Sequence, residues 1–197
     1  MRHNLKLAVL AGVLAAGTAA MGSGIDTFFV IPPNGIPSHD GFNAPGNAII
    51  FFDVAAAAGL PSGTPVVVNG FDYDVTLFAD PNVGTFGGSW LQELRVGCTP
   101  VGGTTGIFFS PGAGNTTSGT AHFSSGGVTK FSTIGIQDFV LPNGVLQMQF
   151  YESFDDAAGV DDGRWLSGNL TFQIAPAPSS LALMGAGGIV AFRRRRR

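Results

Sequence analysis

Short stretches in which apolar and polar residues alternate, separated by turn residues, constrain the fold of this 197-residue chain more than any other feature. Successive side chains of a β-strand point to opposite faces, so a period of two marks a strand with one face in the core. Leu146, Met148 and Phe150 alternate with polar residues, and the segment 71–77 alternates in the same way. This pattern predicts strands through most of the chain.

The segment 165–174 is predicted to be the last strand of the body, which Ala175-Pro176 ends. Its alternation places Leu166, Leu170 and Phe172 on the core face and Trp165 on the outward face. By the same rule Tyr151 points outward from the strand that contains Phe150. The apolar run 48–54 is predicted to be a strand covered on both sides, because neither of its faces is polar.

Turn residues recur between these segments, as expected for a chain with 30 glycines and 12 prolines. Asn69-Gly70 and Asn143-Gly144 are the sharpest of them, since both residue types tolerate a positive φ angle. Asn143-Gly144 predicts a hairpin between its flanking strands, and residues 55–60 predict a short helical turn. The fold class predicted is all-β, an antiparallel β-sandwich of roughly eight or more strands with a jelly-roll-like arrangement.

The N-terminal segment 1–22 has the layout of a secretory signal peptide. Arg2 and Lys6 form a basic start, residues 7–16 are apolar, and small residues follow up to Gly22. We therefore predict a signal helix over 1–22 that signal peptidase removes. The alternative is a retained membrane anchor, although a span needs about 20 apolar residues.

The C-terminal segment 176–197 has three parts in order. It begins with a proline-x-proline motif and serine, continues with an apolar stretch over 180–192, and ends in five arginines: Pro176, Ala177, Pro178, Ser179, then Arg193, Arg194, Arg195, Arg196 and Arg197. Positive residues stay on the cytoplasmic side of a membrane, so the arginines act as a stop. The segment predicts a short transmembrane helix, which serves either as a processed sorting signal or, in the alternative, as a plain tail anchor with a basic end.

This order of parts resembles the PEP-CTERM sorting signal of Gram-negative bacteria, and the resemblance covers the segment 176–197 only. The resemblance implies recognition and cleavage by a membrane exosortase near the Pro-x-Pro motif, with Ala177 standing where the family usually has glutamate. It further implies transient anchoring in the inner membrane, then release to the cell surface or to an extracellular matrix of polysaccharide, as in a biofilm.

The segment 23–175 between these ends is the predicted ectodomain, and it is strongly acidic. Arg95, Lys130 and Arg164 are its cations against all 13 acidic residues of the chain, a net charge of −10. A body of this charge repels phosphate backbones, so binding to nucleic acid is excluded as a function.

An acidic loop before the last predicted strand is the densest cluster of oxygen ligands. Asp155, Asp156, Asp161 and Asp162 lie there among glycines. Calcium takes six to eight oxygen ligands, which such a loop can supply. We predict that these four residues include calcium ligands, with an acidic surface loop as the alternative.

Aromatic residues are the candidates for binding sugar rings, because a flat ring packs against the apolar face of a pyranose. Trp165 and Tyr151 are the predicted ligand-binding residues, with core packing as the alternative for Trp165. Trp90 falls on an apolar face and is predicted to lie in the core.

No catalytic residue is predicted. The only glutamates, Glu93 and Glu152, match no glycosidase motif, and His39 and His122 have no metal-binding spacing. Cys98 is the single cysteine and is predicted to be a buried small side chain.

The sequence therefore predicts a non-enzymatic exported protein of the cell surface or matrix that associates with extracellular polysaccharide. Two alternatives stay open: a secreted hydrolase that acts on glycans, and a structural adhesin or matrix subunit without a small ligand.

Overall fold

The computed structural model describes residues 24–84, 88–157 and 159–177, and this part of the chain is built almost wholly of antiparallel strands. The all-β prediction for the body is confirmed. The signal helix predicted over 1–22 and the transmembrane helix predicted over 180–192 lie outside the described residues. Among the helices of the described ranges, none has the length and apolar character needed to cross a membrane.

The strands, numbered in chain order, form two sheets. The first sheet has seven strands: β1 (Ile25–Val30), β2 (Ile36–Ser38), β4 (Val66–Ala79), β7 (Gly119–Ser124), β8 (Thr129–Lys130), β9 (Phe139–Leu141) and β11 (Gly163–Pro176). The second has four: β3 (Ala48–Asp53), β5 (Leu94–Pro100), β6 (Ile107–Phe109) and β10 (Val145–Glu152). Helix α1 (Val54–Ala57) confirms the short helical turn, and one 3-10 turn covers Phe131–Thr133.

Two strands of 14 residues, β4 and β11, form the centre of the first sheet and pair along their whole length. On the far edge of β11, β1 and β2 pair one after the other, and β7, β8 and β9 share the far edge of β4. The first sheet therefore has four strand positions, like the second, whose order is β3-β10-β5-β6.

The core lies between the two sheets and is rich in aromatic rings. Trp165 of the first sheet is completely buried and packs edge-on against Phe150 of the second, with ring centroids 5.1 Å apart. Phe109 contacts the same indole at 6.5 Å. Leu77 and Met148 are also completely buried, which confirms the predicted inward faces of β4 and β10.

A β-bulge in β11 explains why the predicted faces of this strand are wrong at one end. Trp165 pairs with Leu77 and Ser167 pairs with Thr76, so Leu166 is an extra residue in the ladder. One extra residue shifts the alternation by one and exchanges the faces. Trp165 thus points into the core together with Leu170, while Leu166, predicted to face the core, is only half-buried.

Neither Asn-Gly pair forms a hairpin turn. Asn69 is the extra residue of a second bulge inside β4, so Asn69-Gly70 continues a strand. Gly144 does form a turn, with φ of 68°. However, β9 pairs with β4, whereas β10 pairs with β3 and β5, so Asn143-Gly144 connects the two sheets and the predicted hairpin is wrong.

Strand β3 is also not covered on both sides, contrary to the prediction. It is an edge strand of the second sheet, and Ile49 and Phe51 are exposed on its outer face. Cys98 of β5 is buried as predicted. Burial raises the pKa of its thiol well above the ordinary value, so it acts as a small apolar side chain.

Replacing Trp165 by alanine is expected to lower the free energy of unfolding by about 3 to 5 kcal/mol, because it leaves a large cavity between the sheets. Phe28→Ala is the matched control, since this phenylalanine on the outer face of β1 is 60% exposed. Urea unfolding of both variants measures the difference. A cost for Trp165→Ala no larger than that of the control would show that the indole does not hold the sheets together.

Candidate functional site

A pocket of about 400 Å³ opens at the end of the sandwich where β4 and β10 end and β5 and β11 begin. Its lining combines two aromatic rings with two carboxylates: Gly88, Trp90, Glu93, Phe154 and Asp156. Apolar surface with a few polar groups that converge on it is the usual composition of a ligand site. We take this pocket as the candidate site.

The two aromatic side chains form the rim of the pocket. Trp90 is 40% exposed and Phe154 is 57% exposed, and both rings line the pocket. Trp90 belongs to a tight turn, in which the Glu93 N–H donates to the Trp90 carbonyl at 2.9 Å. The turn fixes the backbone that carries the indole.

Glu93 forms one wall of the pocket. Its Oε2 accepts a hydrogen bond from the Trp90 N–H at 2.7 Å and one from the Ser89 hydroxyl at 3.3 Å. The Glu93 carbonyl in turn accepts the Ser153 N–H at 2.9 Å. These contacts join the turn before β5 to the end of β10.

Two further carboxylates lie beneath the pocket. Glu152 and Asp162 are both completely buried (0% exposed). Asp162 Oδ2 accepts the N–H groups of Asp156 and Ala157 at 3.0 and 3.2 Å, and the Ser89 hydroxyl lies 3.4 Å from Glu152 Oε2. Glu152 Oε1 and Asp162 Oδ1 are buried without a hydrogen-bond partner.

Burial, and then the charges of neighbouring carboxylates, raise the pKa values of this cluster. Burial raises the pKa of Glu152 to about 9, with further contributions from the charges of Asp162, Glu93 and Asp156. Burial is also the largest cause of the raised pKa values of Glu93, Asp156 and Asp162. A charged group out of water is costly unless a partner neutralises it, which gives this cluster a strong tendency to take up a proton or a cation.

The structure separates the four aspartates that were predicted as calcium ligands. Asp156 and Asp162 belong to the cluster, whereas Asp155 is exposed. The Asp161 carboxylate is already paired, with His39 Nε2 and Arg164 Nη2 each 2.6 Å away. Within the described ranges, no group of three or more His, Cys, Asp or Glu side chains is placed, as it stands, where it could hold a metal ion.

The two predicted ligand-binding aromatics are not available to a ligand. Trp165 is completely buried in the core, so its predicted outward placement is wrong, and Tyr151, which is not part of that core, is only 6% exposed. The bulge at Leu166 turned Trp165 inward, and Phe42 covers Tyr151 at 5.1 Å between ring centroids. Trp90, which was predicted to lie in the core, is instead the exposed tryptophan at the pocket.

The predicted sorting motif begins inside the fold. Pro176 pairs with Val66 at the end of β11, and the Ala177 N–H donates to the Pro65 carbonyl at 3.1 Å. Pro178, Ser179 and the arginines 193–197 lie outside the described residues. The first two residues of the motif are therefore held by hydrogen bonds to the body, with no linker between the motif and the last strand.

A second cavity of about 400 Å³ lies beside the β6 edge of the sandwich. Phe71, Tyr73, Phe109, Phe131 and Ile134 are among its lining residues, and none of the residues that line it is charged. Its polar side chains are the neutral hydroxyls of Tyr73, Ser125 and Thr129, and since it holds no carboxylate it is the weaker candidate.

Sequence reasoning considered Glu93 and Glu152 only as an unsupported catalytic pair. One signal for Glu152 was present, because it continues the even-numbered inward series of Leu146, Met148 and Phe150 in β10. A glutamate in phase with the core face marks a buried carboxylate. No comparable signal marked Glu93, which comes to Glu152 only through the fold.

Comparison with protein-family models, with curated proteins and with solved structures finds no match to this chain.

Glu152→Gln is expected to reduce the loss of stability at high pH in metal-free buffer. A raised pKa means that the folded state holds the proton more tightly, so the contribution is complete below the ordinary value of 4.5 and is lost as the pH rises through about 9. Thermal unfolding from about pH 5 to pH 10 measures this slope. Asp155→Asn should keep the wild-type slope, and parallel curves for Glu152→Gln and the wild type would contradict the buried acid.

Proposed function

We propose that this chain is an exported extracellular matrix or cell-surface protein of a Gram-negative bacterium, sorted through its C-terminal segment. It is non-enzymatic and binds extracellular polysaccharide. Its partners during export are signal peptidase, exosortase and, transiently, the inner membrane, and nucleic acid is not among them.

The meeting of the two ends of the body is the observation that carries the sorting proposal. β1 pairs with β11, so that Ile25 lies opposite Ile174, and Ala177 follows directly after that strand. Residues before Gly24 and after Ala177 therefore join the body at the same end of the first sheet. Removal of both segments would leave the eleven described strands in place.

The strand order supports the finer description of the body as jelly-roll-like. Counting β1 with β2, and β7 with β8 and β9, as single positions gives the orders 1-8-3-6 and 2-7-4-5 in the two sheets. Two interlocked Greek keys of this kind make up a jelly roll, an architecture that includes lectin domains. Since one fold hosts many functions, the glycan proposal rests on the pocket.

The rim of the pocket supports glycan binding. The exposed rings of Trp90 and Phe154 can pack against the C–H face of a pyranose, and the nearby carboxylate of Glu93 can accept hydrogen bonds from sugar hydroxyls. In this proposal Trp90 takes the role that was predicted for Trp165 and Tyr151.

The glutamate pair favours the alternative of a glycan hydrolase, because the Ser89 hydroxyl lies within 3.4 Å of both carboxylates. Glycosidases need two carboxylates about 5 to 9 Å apart that flank the substrate. Glu152, however, is completely buried beneath the pocket and has no surface to offer a sugar chain. Turnover of a polysaccharide that is lost in Glu152→Gln would favour the hydrolase over a binding protein.

Intact-mass analysis of the exported protein tests the sorting proposal. We expect a cut on the carboxyl side of Ala177, because a cut before it would remove the residue that anchors the end of β11 to Pro65. The mass should show neither the predicted signal peptide nor the terminal arginines. Native protein that retains the arginines, or that is found in the cytosol, would contradict the proposal.

Trp90→Ala is expected to weaken retention on the host's extracellular polysaccharide about tenfold, which corresponds to about 1.4 kcal/mol of lost ring contact. Phe51→Ala is the matched control, because this ring on β3 is 60% exposed and lies outside the pocket. Affinity electrophoresis in gels that contain the polysaccharide measures both variants. Equal retention of wild type and Trp90→Ala would contradict the pocket, and no retention of the wild type would favour the structural adhesin.

A further inference from the structure

Four carboxylates from three separate segments meet at the floor and wall of the pocket. Glu93 belongs to the turn before β5, Glu152 ends β10, and Asp156 and Asp162 belong to the loop that leads into β11. The backbone around them is fixed, since the Asp80 N–H donates to the Asp162 carbonyl at 2.8 Å. The cluster is therefore held by the fold and is not a chance grouping on a loose surface.

No side chain of opposite charge balances this cluster in the part of the chain that the structure describes. The ion pairs there join His39 and Arg164 to Asp161, and His122 to Asp74, and none includes the four carboxylates. Buried charges in proteins are ordinarily paired or bound to a metal. The positive charge that balances these four carboxylates must therefore come from another species.

Two oxygen atoms give the independent observation that points to an ion. Glu152 Oε1 and Asp162 Oδ1 are buried without a hydrogen-bond partner, on side chains that are completely buried. Almost all such atoms in proteins have a partner, and an ion is one accepted explanation for those that do not. Glu152 Oε1 is directed toward Gly163, where an added Cβ would come within 2.9 Å of it. Gly163 directly follows Asp162, so Glu152 Oε1 lies beside the backbone next to Asp162.

We propose that Glu93, Glu152, Asp156 and Asp162 bind one calcium ion at the floor of the pocket, which joins the turn before β5, the end of β10 and the loop before β11. Glu152 and Asp162 form the fixed floor, and Glu93 and Asp156 line the open pocket, where their carboxylates can turn onto the ion. The Ser89 hydroxyl and solvent complete the oxygen ligands.

The donors select the kind of metal. All of them are oxygen atoms, and neither histidine nor cysteine takes part, which favours a hard cation over zinc or copper. Calcium accepts six to eight oxygen ligands in irregular geometry, whereas magnesium requires a near-ideal octahedron and keeps most of its water. Carboxylates from a turn, a strand end and a loop suit calcium better.

Calcium titration of the purified full-length protein, after treatment with chelator, tests this site. We expect isothermal calorimetry to show one ion per chain and thermal unfolding to shift upward by several degrees in millimolar calcium. Magnesium at the same concentration should give a smaller shift. Glu152→Gln and Asp162→Asn should each weaken calcium binding at least about tenfold, which is the loss of about 1.4 kcal/mol.

Asp155→Asn is the matched control, because it removes an exposed carboxylate of the same loop that acts on Asp156 and Asp162 only through its charge. It should weaken calcium binding far less than the floor variants do. Glu93→Gln, in the accessible wall of the pocket, provides the same test if a floor variant does not fold. The proposal is overturned if calcium neither binds the wild type nor raises its Tm, if the floor variants respond like the wild type, or if Asp155→Asn loses the response.

The calcium site does not rest on the proposed glycan function, and the two fail separately. Loss of the calcium response in Glu152→Gln is measured without glycan. Loss of retention in Trp90→Ala is measured at constant calcium.

Discussion

The ladder between β4 and β11 is the interaction on which the rest of the structure depends. The first-sheet strands β1, β2, β7, β8 and β9 all pair with one of these two, and the second sheet packs its aromatic face against them. Its two bulges set which residues face the core, and the one at Leu166 allows Trp165 to fill the centre of the sandwich. Where the ladder ends, Asp162 and Gly163 are brought against the end of β10.

That end of the ladder carries the strongest electrostatic conflict of the described body. A tightly built all-β fold has buried Glu152 and Asp162 side by side, and each of them keeps an oxygen without a partner. Replacing such a group by an apolar residue would be the ordinary solution for stability. Retention of four acids around one open pocket is explained most simply by a ligand that needs them. A bound cation would join the turn that carries Trp90 to the end of β10 and to the loop before β11. It would thereby fix the position of the Trp90 ring at the rim of the pocket.

The alternation of residues predicted the fold class and the inward faces of β4 and β10, because burial on one face leaves a period of two in the sequence. It failed at β11, since a bulge adds one residue and leaves no mark in the pattern of polarity. Asn-Gly was ambiguous because only Gly144 adopts the positive φ angle of a turn, whereas Asn69-Gly70 continues β4 through a bulge without one. The acidic loop pointed to half of the cation site, Asp156 and Asp162. Glu93 lies far before Glu152 in the chain and is brought to it only by pairing of β5 with β10, which no local pattern encodes.

A crystal structure of the protein grown in calcium, with the anomalous signal of the ion recorded, tests this account most directly. The account predicts one calcium ion about 2.4 Å from carboxylate oxygens of Glu152 and Asp162, with Glu93 and Asp156 turned toward it. Carboxyl groups that hydrogen-bond to one another through shared protons, with no ion between them, would contradict it. An ion bound instead at Asp155 and Asp161 would contradict it equally.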